Sequence, residues 1–513
     1  ASRHAATLPG QRTPLADSMS QPNPAPDLIT PAVLAALRAA VGPTGIICDT
    51  NQLQTYECDG LTNFRTLPGA VVLPRTNAEV AAVIRICAQH AIPFVARGAG
   101  TGLSGGALPT EHCIVICLAR MNRILAIDLD NARVHVEAGV TNTSVTNAVK
   151  SSGFFYAPDP SSQTVCTIGG NLAENAGGAH CLKYGFTVTH VLGCEVVLPT
   201  GEAMWFGSEH GVVDTPGYDL AGVFIGSEGT LGIATRAVLR VVRKPESVQT
   251  LLAAFDNANG AAQTVSDIIA AGMLPSAMEM MDRTSIFAAE AAVHAHYPDC
   301  EALLLIELDG PAAEVNAQMK TVRGLCTKNA AWEQRLAQTD TERALVWKGR
   351  KAAFAAMGRV SPNYIVQDGV IPRTALPRVL ERMAEMSRET GLRIANVFHA
   401  GDGNLHPMVL YDRTIEGEED RALILSYDIL RLCVDAGGSI TGEHGVGREK
   451  QCVMSYQFHE PDLATMQRVR RAFDPQNIAN PEKLFPTPRL CGERKHGAYI
   501  PHPLEQAGIA EVF

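Results

Sequence analysis

Between residues 157 and 185 the chain reads APDPSSQTVCTIGGNLAENAGGAHCLKYG, with two diglycines and a Pro-Asp-Pro-Ser-Ser turn. No long helix or regular strand runs through such a stretch, because glycine raises the entropy lost on ordering and proline removes a backbone donor. Two further stretches share this texture, VARGAGTGLSGGALP at 95–109 and GSEGTLG at 226–232. A single diglycine is ordinarily a tight loop. Three such segments let backbone approach a long, flat, pyrophosphate-bearing ligand at several points, which a compact mononucleotide would not require. Residues 100–105, GTGLSG, match G-x-G-x-x-G, but Gly106 and Pro109 break any following helix and no acid lies at 120–127. A Rossmann reading is therefore refused. Serial glycines still turn consecutive N–H groups toward one point and can nest an anion without a helix dipole.

A chain of 513 residues exceeds what one hydrophobic core usually supports, so two or more domains are expected. The net charge of −10 argues against nucleic acid as a partner, since that affinity comes from clustered Lys and Arg. Thirteen cysteines are scattered without CxxC pairs, which suggests neither a disulfide framework nor an iron-sulfur ligand run, and a reducing, cytoplasmic setting. No stretch approaches the roughly 18 consecutive apolar residues of a membrane span. Residues 1–30 read as a disordered extension. Arg3 and Arg12, with no acid before Asp17, resemble an organelle presequence only faintly.

From residue 31, apolar spacing of three and four with Pro31 near the start predicts a helix. Residues 70–102 read strand, helix, strand, glycine turn, with Asn77 as cap and Val80, Val83, Ile84 and Cys87 on the buried face. Short β-rich runs follow, a mostly antiparallel sheet interrupted by the glycine-laden segment. After Lys244-Pro245 the texture becomes alanine-rich amphipathic helices alternating with strands. The expected division is 31–245, then 246–470, a turn-rich segment 471–486 and a polar tail 487–513.

Residues 399–406 read HAGDGNLH and residues 439–450 read SITGEHGVGREK. Two glycines around an aspartate exclude a helix, whereas IANVF and PMVLY on either side predict a hairpin with a loop at 401–404. That register opposes His399 to His406 on one face, with Cβ atoms about 4.5 to 5.5 Å apart. Two imidazoles so placed can hold one divalent cation, zinc, manganese or iron, with Glu443 as the best candidate for a third ligand. His444 falls to another role, because successive side chains of extended backbone point apart. A lone histidine beside a turn is usually structural; the pair together with Glu-His supplies a metal site and a proton acceptor.

The runs VARGAGTGLSGGALP, PDPSSQTVCTIGGNLAENAGG and FIGSEGTLGIAT, continuing through HAGDGNLHP and GEHGVGREK to ANPEK, resemble the vanillyl-alcohol-oxidase and p-cresol-methylhydroxylase family of flavoproteins. Within it they are most similar to the glycolate oxidase and D-lactate dehydrogenase group. The resemblance implies an α+β fold: a two-part FAD-binding domain, then a cap domain with an antiparallel sheet and helices. It implies that Gly98, Ala99, Gly100, Thr101 and Gly102 hold the FAD pyrophosphate. Pro158, Asp159, Ser162, Gly169, Gly170, Asn171, Gly177 and Gly178 would line the flavin, Glu228 and Ile233 reach the ribityl-adenosine side, and Asn480 return from 471–486 to the ring. Some relatives attach FAD through histidine; for His180 a loop histidine packing near the flavin is the plainer reading. The resemblance further implies His399, His406 and Glu443 as metal ligands, His444 as base and Arg350 as clamp for the substrate carboxylate, while Lys348 and Lys351 read as surface charges.

D-2-hydroxyglutarate dehydrogenases of this group bind a distal carboxylate at positions that appear here as Phe354, Val366 and Met408. Apolar groups there disfavour a second buried charge, so a short 2-hydroxyacid such as glycolate or D-lactate is expected. A second flavin-type subunit and an iron-sulfur subunit, or another electron acceptor, are the implied partners, with any membrane contact peripheral and made through them. A flavin-free metal hydrolase would leave the glycine stretches unexplained, and a passive flavin subunit would leave the base and ligands unexplained.

Overall fold

The computed structural model describes residues 28–211 and 216–487. Most of the expected extension, the presequence-like residues and the tail lie outside the described residues. At the inner end of the extension the chain is ordered: Ile29 is buried against the first core and the Thr30 hydroxyl caps the helix Pro31–Val41 by accepting from Val33 N–H.

Among the described residues the first part holds two larger sheets and a two-stranded one, Phe154–Phe155 with Val242–Arg243. One is four-stranded, with Ala70–Val72, Ile114–Cys117 and Phe94–Arg97 parallel and Ile46–Ile47 antiparallel at the edge. The strand-helix-strand unit over 70–97 is present, but Ile114–Cys117 lies between its two strands. Its helix, Asn77–Gln89, is capped by Thr76 rather than by the expected Asn77; the Thr76 hydroxyl takes Glu79 N–H, and Asn77 donates instead to Thr235 at 2.8 Å. Val80, Val83, Ile84 and Cys87 are fully buried, as the helical spacing requires. The second sheet is five-stranded and antiparallel, in the order Ile124–Asp128, Arg133–Glu137, Ile233–Arg240, Val191–Val197, Ala203–Gly207. The glycine-laden segment leaves this sheet and holds a seven-residue helix, Ile168–Glu174, capped by the Thr167 hydroxyl.

Beyond Arg243 a separate antiparallel sheet begins, built on Ser247–Phe255, Ala302–Gly310, Ala277–Asp282 and Ile394–His399. It is covered on both faces. Leu251, Ala253 and Phe255 pack with the helices Ala258–Ala270, Ala312–Lys328 and Leu376–Thr390, while the alternate residues Leu252 and Ala254 pack with Arg283–Val293 and Asp340–Ala356. Side chains alternate across a strand, so a strand buried on both sides reads as a continuous apolar run, as LLLIEL does here. The helix Leu376–Thr390 places Leu376, Val379, Leu380, Met383 and Met386 on its buried face and ends at Gly391 with φ +71°.

The C-terminal segment crosses back to the first part. Ala479 bridges to Phe94 in parallel at the edge of the four-stranded sheet, and Asn480 N–H donates to Phe94 O at 2.8 Å. Cys452 is disulfide-bonded, which the scattered cysteine spacing did not announce; the cysteines from Cys48 to Cys433 are free. Among the described residues no helix is long and apolar enough to cross a membrane.

Candidate functional site

The HAGDGNLH segment is a hairpin, with one correction to its register. His399 pairs with Asn404 and Asn396 with Pro407, so the loop is 400–403 and the pairing is shifted by two residues from that expected. The shift follows from a strand that local sequence does not reveal: Gly369–Val370 pairs with Asn404–Leu405, and Ile371 N–H donates to Gly403 O at 2.9 Å. Gly403, at φ +76°, leaves no room for a Cβ beside Ile371 O. A shift of one residue would have sent His406 to the opposite face, whereas a shift of two preserves the face. The two imidazoles accordingly lie edge to face with centroids 5.0 Å apart.

Glu443 completes the cluster. Its Oε1 is 3.2 Å from His399 Nε2 and 3.2 Å from His406 Nε2, and the ligand atoms of the three residues all lie within 4.8 Å of one another. Behind each histidine stands a buried acid. Glu279 is directly opposite His399 across the sheet, and its Oε1 is 2.7 Å from His399 Nδ1; Asp368 Oδ1 is 3.7 Å from His406 Nδ1. Carboxylates in this position fix the ring orientation of a metal-binding histidine. Burial by itself lowers the pKa of His399, but Glu279 and Glu443 outweigh it and raise it well above the usual range. Burial opposes ionisation of Glu443 too, yet His399 and His406 hold it well below the usual carboxylate range.

The Glu-His loop does not run extended, so the expected divergence of Glu443 and His444 does not occur. Gly442, Glu443 and His444 turn their N–H groups onto the Asp368 carboxylate at 2.9, 3.2 and 2.9 Å, and the Thr441 hydroxyl adds a bond of 2.6 Å. The loop is an anion nest wound around its own buried aspartate. Lys450, fully buried, lies 3.5 Å from the same carboxylate. In this winding both Glu443 and His444 face one cavity, and the His444 ring stacks on His406 at 4.9 Å. Burial is the main reason His444 is lowered to about 4, so its ring is neutral near pH 7.

That cavity, of about 400 Å³, is lined by Gly98, Ala99, Gly100, Thr101, Gly102, Ser162, Gly169, Gly170, Asn171 and Gly177 on one side and by His406, Glu443 and His444 on the other. A second hollow of about 600 Å³ shares Gly98, Ala99 and Thr167 with it and continues past Gly139 to Thr141. The two hollows adjoin at Gly98, Ala99 and Thr167, and together they offer room for a dinucleotide. Glu228 and Ile233, expected on the ribityl-adenosine side, line the cavity that holds the histidines, and Glu228 accepts from Val446 and Gly447 N–H at 2.6 Å each. Pro158, Asp159, Gly178 and Asn480 stand behind the wall. Pro158 O accepts from Asn142 at 3.0 Å, and a Cβ on Gly178 would come within 2.5 Å of the Asp159 backbone. Asn480 Nδ2 donates to Gly106 O at 2.8 Å and Glu228 O at 2.6 Å, tying two glycine stretches together. His180 has Nδ1 2.9 Å from Asp159 and Nε2 3.0 Å from Glu307, which engages both ring nitrogens across the junction of the two parts.

Arg350, expected at the substrate, is 2% exposed, and its Nη2 lies 2.5 Å from Glu279 Oε2. Lys351, read as a surface charge, lines the cavity beside Phe354, whose ring meets His406 at 5.8 Å. Val366 and Met408 are cross-strand partners in the apolar layer under Phe354. Sequence reasoning missed Glu279, Asp368 and Lys450. Glu279 carried a signal: a lone acid in the apolar strand AMEMMD must be paired if buried.

Two family models match the chain, an FAD binding domain over residues 68–207 and the C-terminal domain of FAD linked oxidases over residues 244–484. The chain is 48% identical to the glycolate oxidase subunit GlcD of Escherichia coli strain K12, covering 93% of this chain and 96% of that one. It is 38% identical to GlcD of Bacillus subtilis, covering 89% and 97%. A D-lactate dehydrogenase of Anaerostipes hadrus is 30% identical, covering 89% and 98%. Among solved structures, p-cresol methylhydroxylase with substrate bound superposes with a TM-score of 0.75 at 19% identity, covering 88% of this chain and 96% of that one.

Proposed function

The chain belongs to the family of FAD-linked oxidases that includes the glycolate oxidase subunit GlcD, and from that premise we propose that it oxidises a short 2-hydroxyacid, glycolate or D-lactate, to the 2-oxoacid. The observation that carries this reading is the junction of the two halves of the site: His406, Glu443 and His444 share one cavity with the glycine backbone suited to FAD. FAD, when bound there, supplies the acceptor for the substrate's α-hydrogen as hydride. The donor set of two imidazoles and a carboxylate suits a divalent cation, held by His399, His406 and Glu443, which would make a nearby hydroxyl more acidic.

The chain's own groups do the rest. His444, kept neutral by burial, takes the hydroxyl proton on its ring. Its position is fixed by the stack on His406 and by its N–H bond to Asp368. Glu279 holds the ring of His399 from behind at 2.7 Å, and the Asp368 carboxylate stands 3.7 Å from His406 Nδ1. Phe354 presents an apolar wall beside His406 and favours a substrate with no second charge.

The names of the similar proteins, glycolate oxidase subunits, support work within a complex; we assign the companions as a second flavin-type subunit and an iron-sulfur subunit, with the chain cytoplasmic and meeting the inner membrane only through them. Anaerobic bleaching of the FAD-loaded protein by glycolate or D-lactate, lost on chelation and restored by zinc, manganese or iron, is the expected result. His444→Gln should lower the bleaching rate by roughly 10²- to 10⁴-fold at unchanged FAD content. A yellow protein that no 2-hydroxyacid reduces overturns the reading.

A further inference from the structure

We propose that the segment 177–184 is a bolt that holds the second part of the chain against the cofactor groove, and that His180 is its positioning residue, fixing how the flavin meets the substrate cluster. The segment belongs to the first part by sequence, yet it ends in the second. At Gly177, which lines the cavity, an added Cβ would come within 2.5 Å of Glu443 Oε2. Leu182 packs against the core of the second part, and a Cβ on Gly401, in the loop between His399 and His406, would come 2.5 Å from its Cδ2. Lys183 and Tyr184 both reach Asp309. The ammonium pairs with its carboxylate and donates to its backbone O at 2.5 Å, and the phenol donates to Oδ2 at 2.6 Å. One short stretch thus meets the Glu-His loop, the histidine hairpin and the strand Ala302–Gly310.

His180 joins the two sides. Its Nδ1 is 2.9 Å from Asp159 Oδ2, its backbone N–H donates to Asp159 Oδ1 at 3.2 Å, and its Nε2 is 3.0 Å from Glu307 Oε1. The second oxygen of Glu307 accepts from the Thr250 hydroxyl and the Trp347 indole N–H, at 2.6 Å each. Trp347, whose ring lies 5.4 Å from the imidazole, belongs to the helix Asp340–Ala356, whose Phe354 meets His406. Through one imidazole, the Pro-Asp turn packed on Gly178 is tied to the strand and the helix of the second part.

Two buried carboxylates share this ring, and a buried charge stripped of both solvent and partner is costly. Burial by itself disfavours the imidazolium, but Asp159 and Glu307 outweigh it and raise His180 well above its usual range. Burial also opposes both carboxylates, yet His180 holds Asp159 at about 2 and Glu307 below its usual range. Lys351 Nζ stands 3.5 Å from Asp159 Oδ2, whereas among the described residues the ion pair of Glu307 is with His180 alone. In the 2-hydroxyacid reading, on which the rate test rests, substrate meets His406, Glu443 and His444 of the second part, while the glycine backbone suited to FAD is in the first. Loosening the bolt moves hydride donor away from acceptor and removes no binding group.

The test uses FAD-loaded, cation-supplied protein, anaerobic flavin reduction by glycolate and D-lactate, and backbone hydrogen exchange read by mass spectrometry. His180→Gln should slow reduction at saturating substrate by roughly 100-fold, the cost of about 1 Å of misplacement, with the half-saturating concentration within about threefold and FAD content unchanged. Exchange should rise together in 177–184, 302–310 and 399–406. The double variant His180→Gln/Glu307→Gln, which removes the stranded charge, should recover most of the lost rate and the protection of 302–310. Reduction of His180→Gln at the wild-type rate, or a loss carried by the half-saturating concentration alone, overturns the positioning role. Exchange that rises in 177–184 only overturns the bolt, and a double variant no faster than His180→Gln overturns the charge argument behind it. If no 2-hydroxyacid reduces the wild type, the oxidase reading falls while the exchange pattern still decides the bolt.

Discussion

Removing the charge of Glu279 tests the interior of the site directly. Glu279 is fully buried on Ala277–Asp282, with His399 on one oxygen and Arg350 on the other. Glu279→Gln keeps the shape and leaves the Arg350 guanidinium, 2% exposed, without a counter-ion. Breaking a buried pair from one side costs about 3–5 kcal/mol, because the remaining charge has lost its solvent and its partner together. Replacing both members by uncharged groups removes that penalty, so Glu279→Gln/Arg350→Met should be more stable than either single variant. The assay is urea unfolding of chelator-treated protein at pH 7.5 for the wild type, both single variants and the double. A second readout is the affinity of the proposed divalent-cation site, which should fall 10- to 100-fold in Glu279→Gln if His399 is a ligand, as when a carboxylate behind a ligating histidine is lost. A single variant within about 1 kcal/mol of wild type, well under the cost of a broken buried pair, or a double variant as unstable as the sum of the singles, would refute the buried-pair argument.

Gly98→Ala probes the cofactor groove: the added Cβ would collide with the Thr167 hydroxyl that caps Ile168–Glu174, and FAD affinity should fall at least about tenfold, or 1.4 kcal/mol, with the apoprotein's circular dichroism unchanged; wild-type FAD affinity would contradict the cradle. Lys483, 2% exposed and donating to Leu108 O at 3.0 Å, is lowered to about 8 from an ordinary 10.5 chiefly by burial. Between those values the unfolded chain binds more protons than the folded one, so stability rises with pH through this window by about 3 kcal/mol. Urea midpoints at pH 7.5 and 10.5 should show that rise in the wild type relative to Lys483→Met, and a constant difference between the two would sink the claim.

The sequence by itself determined the parts whose cause is local. Glycine at 98, 100, 102 and 177–178 interrupts regular structure and opens backbone to a ligand, while Gly169 and Gly170 are taken into the short helix Ile168–Glu174. The helical spacing of Val80, Val83, Ile84 and Cys87 fixed a buried face, and the period of two along a strand kept His399 and His406 together even though their register was misjudged. The cap at Thr76 instead of Asn77 is an error of one residue between two competent cap types.

Only the tertiary structure decided the parts whose cause lies far along the chain. Whether Glu443 and His444 point together depended on a nest around Asp368, some 75 residues upstream by the separation of the Glu443 bond. Whether Arg350 or Lys351 faces the cavity depended on which side of one helix the sheet covers, and neighbouring cations in sequence carry no mark of it. Glu279 found His399 through strand pairing across 120 residues. Charge type and periodicity are written residue by residue, but the partner that neutralises a buried charge is set by packing, because burial makes pairing obligatory without saying with whom.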